Sequence, residues 1–204
     1  MTSRAVLLVT MEPPASLEEE FNDWYDLEHF PQRRSMPGFE SASRWVCVDG
    51  WPRWLAVYDL TSLAALQSDA YIANSGPRST PWSRRMLPRT IGRARIVAQA
   101  TEPQDPLQLS STHTARLAWA GFALEDSDAT AAIVSDARKA WDAHPDLLQL
   151  RSFVSEEKAG AATLWLFGVF GAAVRADALL ALLGRPDGHA PYTFNLYAPY
   201  HREA

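Results

Sequence analysis

Phe21-Asn22-Asp23-Trp24-Tyr25-Asp26-Leu27-Glu28-His29-Phe30-Pro31 packs aromatics, carboxylates and a histidine into one short stretch. Read with a helical period, Asn22, Tyr25 and His29 fall on one stripe, and Leu17, Phe21, Trp24 and Glu28 on the stripe beside it. A polar group thus sits inside an aromatic face. A histidine so placed is either a hydrogen-bonded core residue or an acid–base group held in an apolar pocket. The helix is expected to begin at about Ser16, where Ser16 and Glu19 have the spacing of a capping box and Glu18, Glu19 and Glu20 suit the positive end of the dipole. Pro31 disfavours helical geometry at Phe30, which puts His29 in the last turn or at a kink.

Working outward, Ala5 to Met11 is nearly all apolar and reads as a strand buried on both faces. Pro37-Gly38 signals a turn, Phe39 to Val48 a second strand, and Asp49-Gly50 a hairpin turn. Arg53 to Leu60 is the third strand, with Trp54, Ala56, Tyr58 and Leu60 on one face and Arg53, Leu55, Val57 and Asp59 on the other. A short helix from Ser62, a loop over 74–81, Trp82-Ser83-Arg84-Arg85 and a strand from Thr90 to Gln99 complete a β-α-β-β-α-β unit. Residues 102–112 read as a linker. The same order follows it: strand Arg116 to Leu124, helix Asp126 to Trp141 capped by Asp126 or Ser127, strand Leu148 to Val154, a turn over 156–160, strand Thr163 to Phe170, helix Ala176 to Leu183 and strand Tyr192 to Ala198.

Each such sheet carries helices on one face only, so its open face needs a partner. Two sheets packed face to face satisfy both, and the expected fold class is α+β: two ferredoxin-like repeats, 1–101 and 113–204 around the 102–112 linker, forming one intrachain barrel.

Composition bounds the function. One cysteine, Cys47, permits no internal disulfide and suits a cytoplasmic protein. A net charge of −5 gives no electrostatic case for nucleic acid or an anionic membrane. The apolar runs, such as Leu164 to Phe170, are too short to span a bilayer, and the opening residues lack the pattern of a signal peptide. The five histidines show no metal-ligand spacing, and no Gly-rich phosphate loop or Gly-x-Ser-x-Gly elbow is present.

Phe21 to Arg33, then Pro37-Gly38-Phe39, then Arg53-Trp54-Leu55-Ala56-Val57-Tyr58, with Thr80-Pro81-Trp82-Ser83-Arg84-Arg85 after them, resemble the EthD-like branch of the dimeric α/β-barrel superfamily over residues 4 to 100. The resemblance implies a barrel with a pocket between each sheet and the helix over it. Relatives include muconolactone-type isomerases, cofactor-independent monooxygenases, polyketide cyclases and haem-dependent branches, so the fold fixes no reaction. It also implies His29 as candidate base, by analogy with methylmuconolactone isomerases. In the second half His144 follows Trp141 without an Asn, Tyr or Glu at the matching places, which leaves one working pocket, under the first helix.

The expected function is therefore a cofactor-independent acid–base enzyme, an isomerase, cyclase, lyase or monooxygenase, acting on an aromatic, lactone or polyketide-like small molecule. The alternatives are a non-catalytic carrier of a hydrophobic ligand and a haem-binding barrel. His29 would be the base, with Tyr58 or Tyr25 as acid or oxyanion donor; each tyrosine also reads as packing. Asn22, Arg44, Trp54 and Trp82 would hold the substrate, Arg44 with Arg53 as an anion clamp and Trp82 with Arg84 and Arg85 as a lid, and for the arginines solvated ion pairing is the alternative. On His29, a negative helix end favours imidazolium and aromatic burial favours the neutral ring. His189, Tyr192, Tyr197 and His201 match no motif. No metal or cofactor is expected, and a homodimer through an exposed sheet edge is the assembly the fold allows.

Overall fold

The computed structural model describes residues 3–107, 114–124, 129–156 and 162–202. Eight antiparallel strands close into a barrel: β1 (Ala5–Glu12), β2 (Phe39–Asp49), β3 (Trp54–Leu60), β4 (Ile91–Ala100), β5 (Arg116–Leu124), β6 (Leu147–Glu156), β7 (Ala162–Phe170) and β8 (Thr193–Tyr200). Their order around the barrel is β1-β3-β2-β8-β5-β7-β6-β4. Each half thus carries the ferredoxin-like order, with its first and third strands central, and the halves meet at two seams. The β2–β8 seam runs from Arg44 opposite Tyr200 to Asp49 opposite Leu196. The β4–β6 seam joins Gln99 to Val154 and Ala100 to Phe153.

The alternation of β3 sets three layers. Leu55 and Val57 point into the barrel with Val6, Leu8, Trp45, Trp119, Phe153, Trp165 and Phe167. Trp54, Ala56, Tyr58 and Leu60 point outward to meet Phe21, Trp24 and Tyr25 of the first helix. On the far side, Ala118, Ala120, Phe122, Leu164 and Leu166 meet Ile133, Ala137 and Trp141 of the second-half helix α5 (Ala129–Asp142). Tyr58 therefore faces the helix and not the barrel interior. The expected cap of α5 and most of the turn over 156–160 lie outside the described residues.

The first helix departs from expectation at both ends. Its α-helical part α1 (Glu18–Trp24) has Leu17 at the N-cap with no side-chain bond, after a 3-10 turn over Ala15–Leu17, so the Ser16–Glu19 capping box does not form. The acids flanking Glu19 pair outward: Glu18 with Arg53, and Glu20 with Arg85. Nor does the helix stop before Pro31. A π-helical turn, Tyr25–His29, leads into α2 (Phe30–Arg34), and Phe30 keeps helical dihedrals of −68° and −48°. In a regular α-helix the proline ring would strike the carbonyl four residues back and leave it without a donor. The wider π turn immediately before Pro31 absorbs that misfit, as such bulges do.

At the turn after α2, Gly38 takes a φ of +84°, and a Cβ there would lie 2.6 Å from the Ala65 side chain. The described part of the linker, 102–107, is fastened to the barrel. The Gln104 amide donates to the Ser152 carbonyl (2.9 Å) and accepts from the Ser152 N–H (3.1 Å), standing in for a strand neighbour of β6. Leu107 is buried with the interior cluster, and its N–H donates to Asp59 at 2.9 Å. Asp59 pairs inside the barrel with Arg151, both almost fully buried. No helix among the described residues is long and apolar enough to cross a membrane.

Candidate functional site

Arg44 is the polar centre of the first-half layer. It lies on the outward face of β2, next to the β2–β8 seam, and is 5% exposed. Its guanidinium stands over the rings of Tyr25 (4.3 Å), Tyr200 (4.6 Å), Trp54 (4.9 Å) and Phe21 (5.8 Å). Aromatic faces attract a cation, most strongly where water is excluded. Asp26 forms the ion pair with Arg44, and Asn22 accepts a bond from it at 2.8 Å. The Asn22 amide thus orients Arg44. Asp26 also accepts a long bond from the Tyr200 hydroxyl, at 3.4 Å. Burial raises the Tyr200 pKa, and the neighbouring carboxylate adds to the effect.

Behind Arg44, the expected pocket between sheet and helix is reduced to a void of about 150 Å³, too narrow for a water-sized sphere, lined by Val9, Met11, Tyr25, Arg44, Trp54, Leu55 and Ala56. Aromatic side chains fill the rest. Four polar atoms of this layer, Tyr25 Oη, Tyr58 Oη, Trp54 Nε1 and His29 Nδ1, are buried without a hydrogen-bond partner. Each such orphan costs about 1–3 kcal/mol, so a cluster of them calls for an explanation. The two tyrosine hydroxyls lie close enough to perturb one another, though not in bonding geometry. Burial raises both pKa values, that of Tyr58 strongly, so both hydroxyls stay protonated and can donate.

His29 packs between Trp24, tilted at 4.6 Å between ring centres, and Tyr25, edge-on at 5.2 Å. Its pKa is lowered to about 3, first by burial and then by the positive charges of Arg33 and Arg44. The helix continues past it to Arg34, so the negative helix end that would favour imidazolium is not at His29, and burial decides. The two acids beside it in sequence are engaged elsewhere, Glu28 with Thr80 and Asp26 with Arg44.

In front of Arg44 is a groove of about 490 Å³, walled by Asp26, Phe30 and Arg34 of the helix, by β2 from Glu40 to Arg44, and by Leu107, Tyr200, His201 and Arg202. Arg44 lines both groove and void, and is the residue they share. Sequence reasoning found Arg44, Asn22, Tyr25 and Trp54, which the fold brings together, and His29 and Tyr58 beside them. Trp82 lies apart: its indole N–H donates to Glu20 at 3.2 Å, and Arg85 also pairs with Glu20. Arg53 is held at the surface by Glu12 and Glu18. Missed were Asp26, one of the carboxylates of the opening stretch, and Tyr200, which is brought in from 156 residues away by strand pairing with Arg44. The helix wall did carry a signal: acid, aromatic and base at 26, 30 and 34, four residues apart.

A haem does not fit the helix histidines. His29 does not line the void under the first helix, which is about 150 Å³, against roughly 300–1,000 Å³ for small-molecule and cofactor sites. His144 Nδ1 accepts from the Asp146 N–H at 3.2 Å, and its ring packs on Phe170. Among the described residues no three His, Cys, Asp or Glu side chains converge to hold a metal.

No protein-family model and no curated protein matches this chain. Solved structures do. An anthrone oxidase-like protein superposes with a TM-score of 0.68 at 10% identity, covering 98% of this chain and 92% of its own. A provisionally assigned monooxygenase from Fusobacterium nucleatum gives 0.60 at 10% identity over 97% and 93%. A chlorite dismutase variant from Candidatus Nitrospira defluvii gives 0.57 at 9% identity over 98% and 92%. With about one residue in ten identical, the likeness is one of fold, and that fold is the dimeric α/β-barrel, here closed within a single chain.

Proposed function

We propose that this chain is a small-molecule enzyme of the oxidase or monooxygenase type, on the EthD-like branch of the barrel, acting without a bound cofactor on a phenolic or enolisable aromatic of the polyketide kind. The observation that carries the reading is Arg44, a caged cation that separates an open groove from a void whose lining includes the unpartnered Tyr25 hydroxyl and Trp54 indole N–H. The name of one neighbour, an anthrone oxidase-like protein, agrees with that substrate class, and that of another, a monooxygenase, with the reaction type alone.

An aromatic substrate lying on Phe30 and Tyr200 presents its acidic O–H or C–H to Asp26. Proton transfer neutralises Asp26 and releases Arg44 to pair with the new substrate anion. The buried cation thus has one anionic partner before and after the step, which avoids leaving a charge unpaired at low dielectric. Tyr25 and Tyr58, held protonated, donate to the substrate oxygen as Arg44 shifts. Return of the proton at another carbon is isomerisation. Loss of electrons from the carbanion to dioxygen is oxidation: a methylene flanked by two aromatic rings plus O2 gives the ketone and water. His29, neutral with Nδ1 unpartnered, is the second candidate for the base.

Turnover of anthrone in air, followed by quinone absorbance and oxygen uptake, tests the reading. Wild type should turn over, and Asp26→Asn should fall by about 100-fold or more, the scale of a lost general base. An equal fall in His29→Asn with Asp26→Asn unimpaired moves the base to His29. Binding of phenolic aromatics without turnover favours the carrier, and neither binding nor turnover sinks both. The homodimer also stays a proposal, supported by β4, whose residues 91–98 pair with β1 and with no other described strand.

A further inference from the structure

We propose that the groove selects an aromatic bearing a carboxylate, with Arg34 as the specificity-determining residue that holds it. The inference rests on the groove being the substrate site.

The groove wall holds three guanidinium groups, Arg34, Arg44 and Arg202, and two carboxylates, Asp26 and Glu40. Both carboxylates are already matched: Asp26 by Arg44, and Glu40 by Arg4 at 3.3 Å. Arg202 is matched from outside the groove by Asp23. Arg34 alone among these has no hydrogen bond or ion pair to a described residue. The wall therefore carries one uncompensated positive charge. A planar guanidinium fork with no partner is suited to bidentate binding of a carboxylate.

The position of Arg34 follows from the helix. Asp26, Phe30 and Arg34 succeed one another at four-residue steps along the wall, so an aromatic lying on Phe30 has the caged ion pair at one end and Arg34 at the other. Its neighbour Arg33 shows what a structural arginine looks like in the same turn. Arg33 is buried, donates to the Asn74 carbonyl (2.9 Å) and the Ser75 hydroxyl (3.2 Å), and lies over the Tyr71 ring at 4.9 Å. The remaining wall combines Ala42, Leu107 and the Tyr200 ring with Ser41, Ser43 and His201, a part-apolar surface that suits a ring system over a small inorganic ion.

Calorimetric titration with 2-naphthoate and its neutral isostere 2-naphthamide tests this. Wild type should bind the anion about tenfold more tightly than the amide, a factor of about 1.4 kcal/mol. Arg34→Gln should erase that preference by weakening the anion alone, Arg34→Lys should keep part of it, and Phe30→Ala should weaken both ligands. Equal affinities in wild type, no binding of the anion, or an Arg34→Gln variant that keeps the preference overturns the inference. The enzyme reading stands or falls separately. Naphthoate selectivity without anthrone turnover leaves Arg34 as an anion site in a binding protein, and turnover without selectivity leaves the enzyme and removes the carboxylate.

Discussion

The two helix-over-sheet layers share a topology and differ in chemistry. Under the first helix lie Arg44, Asp26, two buried tyrosine hydroxyls and a neutral histidine among aromatic rings. Under α5 the layer is Ala118, Phe122, Ile133, Val134, Leu164 and Leu166, closed by Trp141, whose indole N–H reaches the Leu179 carbonyl at 3.4 Å. The β6 strand gives that layer Leu150 and Val154, where β2 gives the first layer Arg44. One layer is closed by apolar side chains, and the other holds Arg44 and four buried polar atoms without a partner.

The sharpest way to break that comparison is in the stable layer. Trp141→Ala empties a fully buried site and should cost about 3–5 kcal/mol in urea unfolding, while the folded fraction keeps its anthrone turnover. Loss of turnover at full stability would show that the second layer also works in function.

Acidification should weaken the first layer selectively. The His29 pKa is about 3 in the fold against about 6.5 unfolded. Between those values the unfolded chain binds the extra proton, so stability present above pH ~6.5 is lost as pH falls toward ~3. At ~1.4 kcal/mol per unit, discounted for the partly exposed ring, the loss is of the order of 3–4 kcal/mol. His29→Gln should flatten that limb of the stability–pH curve, and an unchanged limb would contradict the burial argument.

The smallest effect concerns the orphaned hydroxyls. Tyr25→Phe and Tyr58→Phe each remove a buried oxygen without a partner and should raise stability by up to about 1 kcal/mol while lowering turnover. Destabilisation by either would mean that the hydroxyl is bonded in solution.

Both helix-over-sheet layers and the inward and outward faces of β3 were legible because they follow from local periodicity, and the strand order within each half from the β-α-β-β-α-β succession. The Arg116–Leu124 strand and the Ala176–Leu183 helix match residue for residue. The stripe of Asn22, Tyr25 and His29 also led to the right layer. The capping box failed because Ser16 lies inside a 3-10 turn that follows Pro14 and Leu17 takes the N-cap position, a local backbone choice that residue spacing does not record. Tyr200 over Arg44, and Asp59 with Arg151 inside the barrel, depend on which strands meet and in what register, and those pairs span more than ninety residues. The filled pocket was unreadable because aromatic content fits a lined cavity and a packed one equally well.

The π turn has a consequence for how this helix came to serve two purposes. It holds one residue more than an α-helical turn of the same rise, and Leu27, 71% exposed, makes no claim on the core. One residue more in the turn shifts the phase of the sequence pattern by about 100° between the segments before and after it. Upstream, the helix is phased to the aromatic layer; downstream, Arg33 is directed at the Asn74 loop and Arg34 at the groove. The same helix therefore packs on the sheet with its first half and faces the Asn74 loop and the groove with its second.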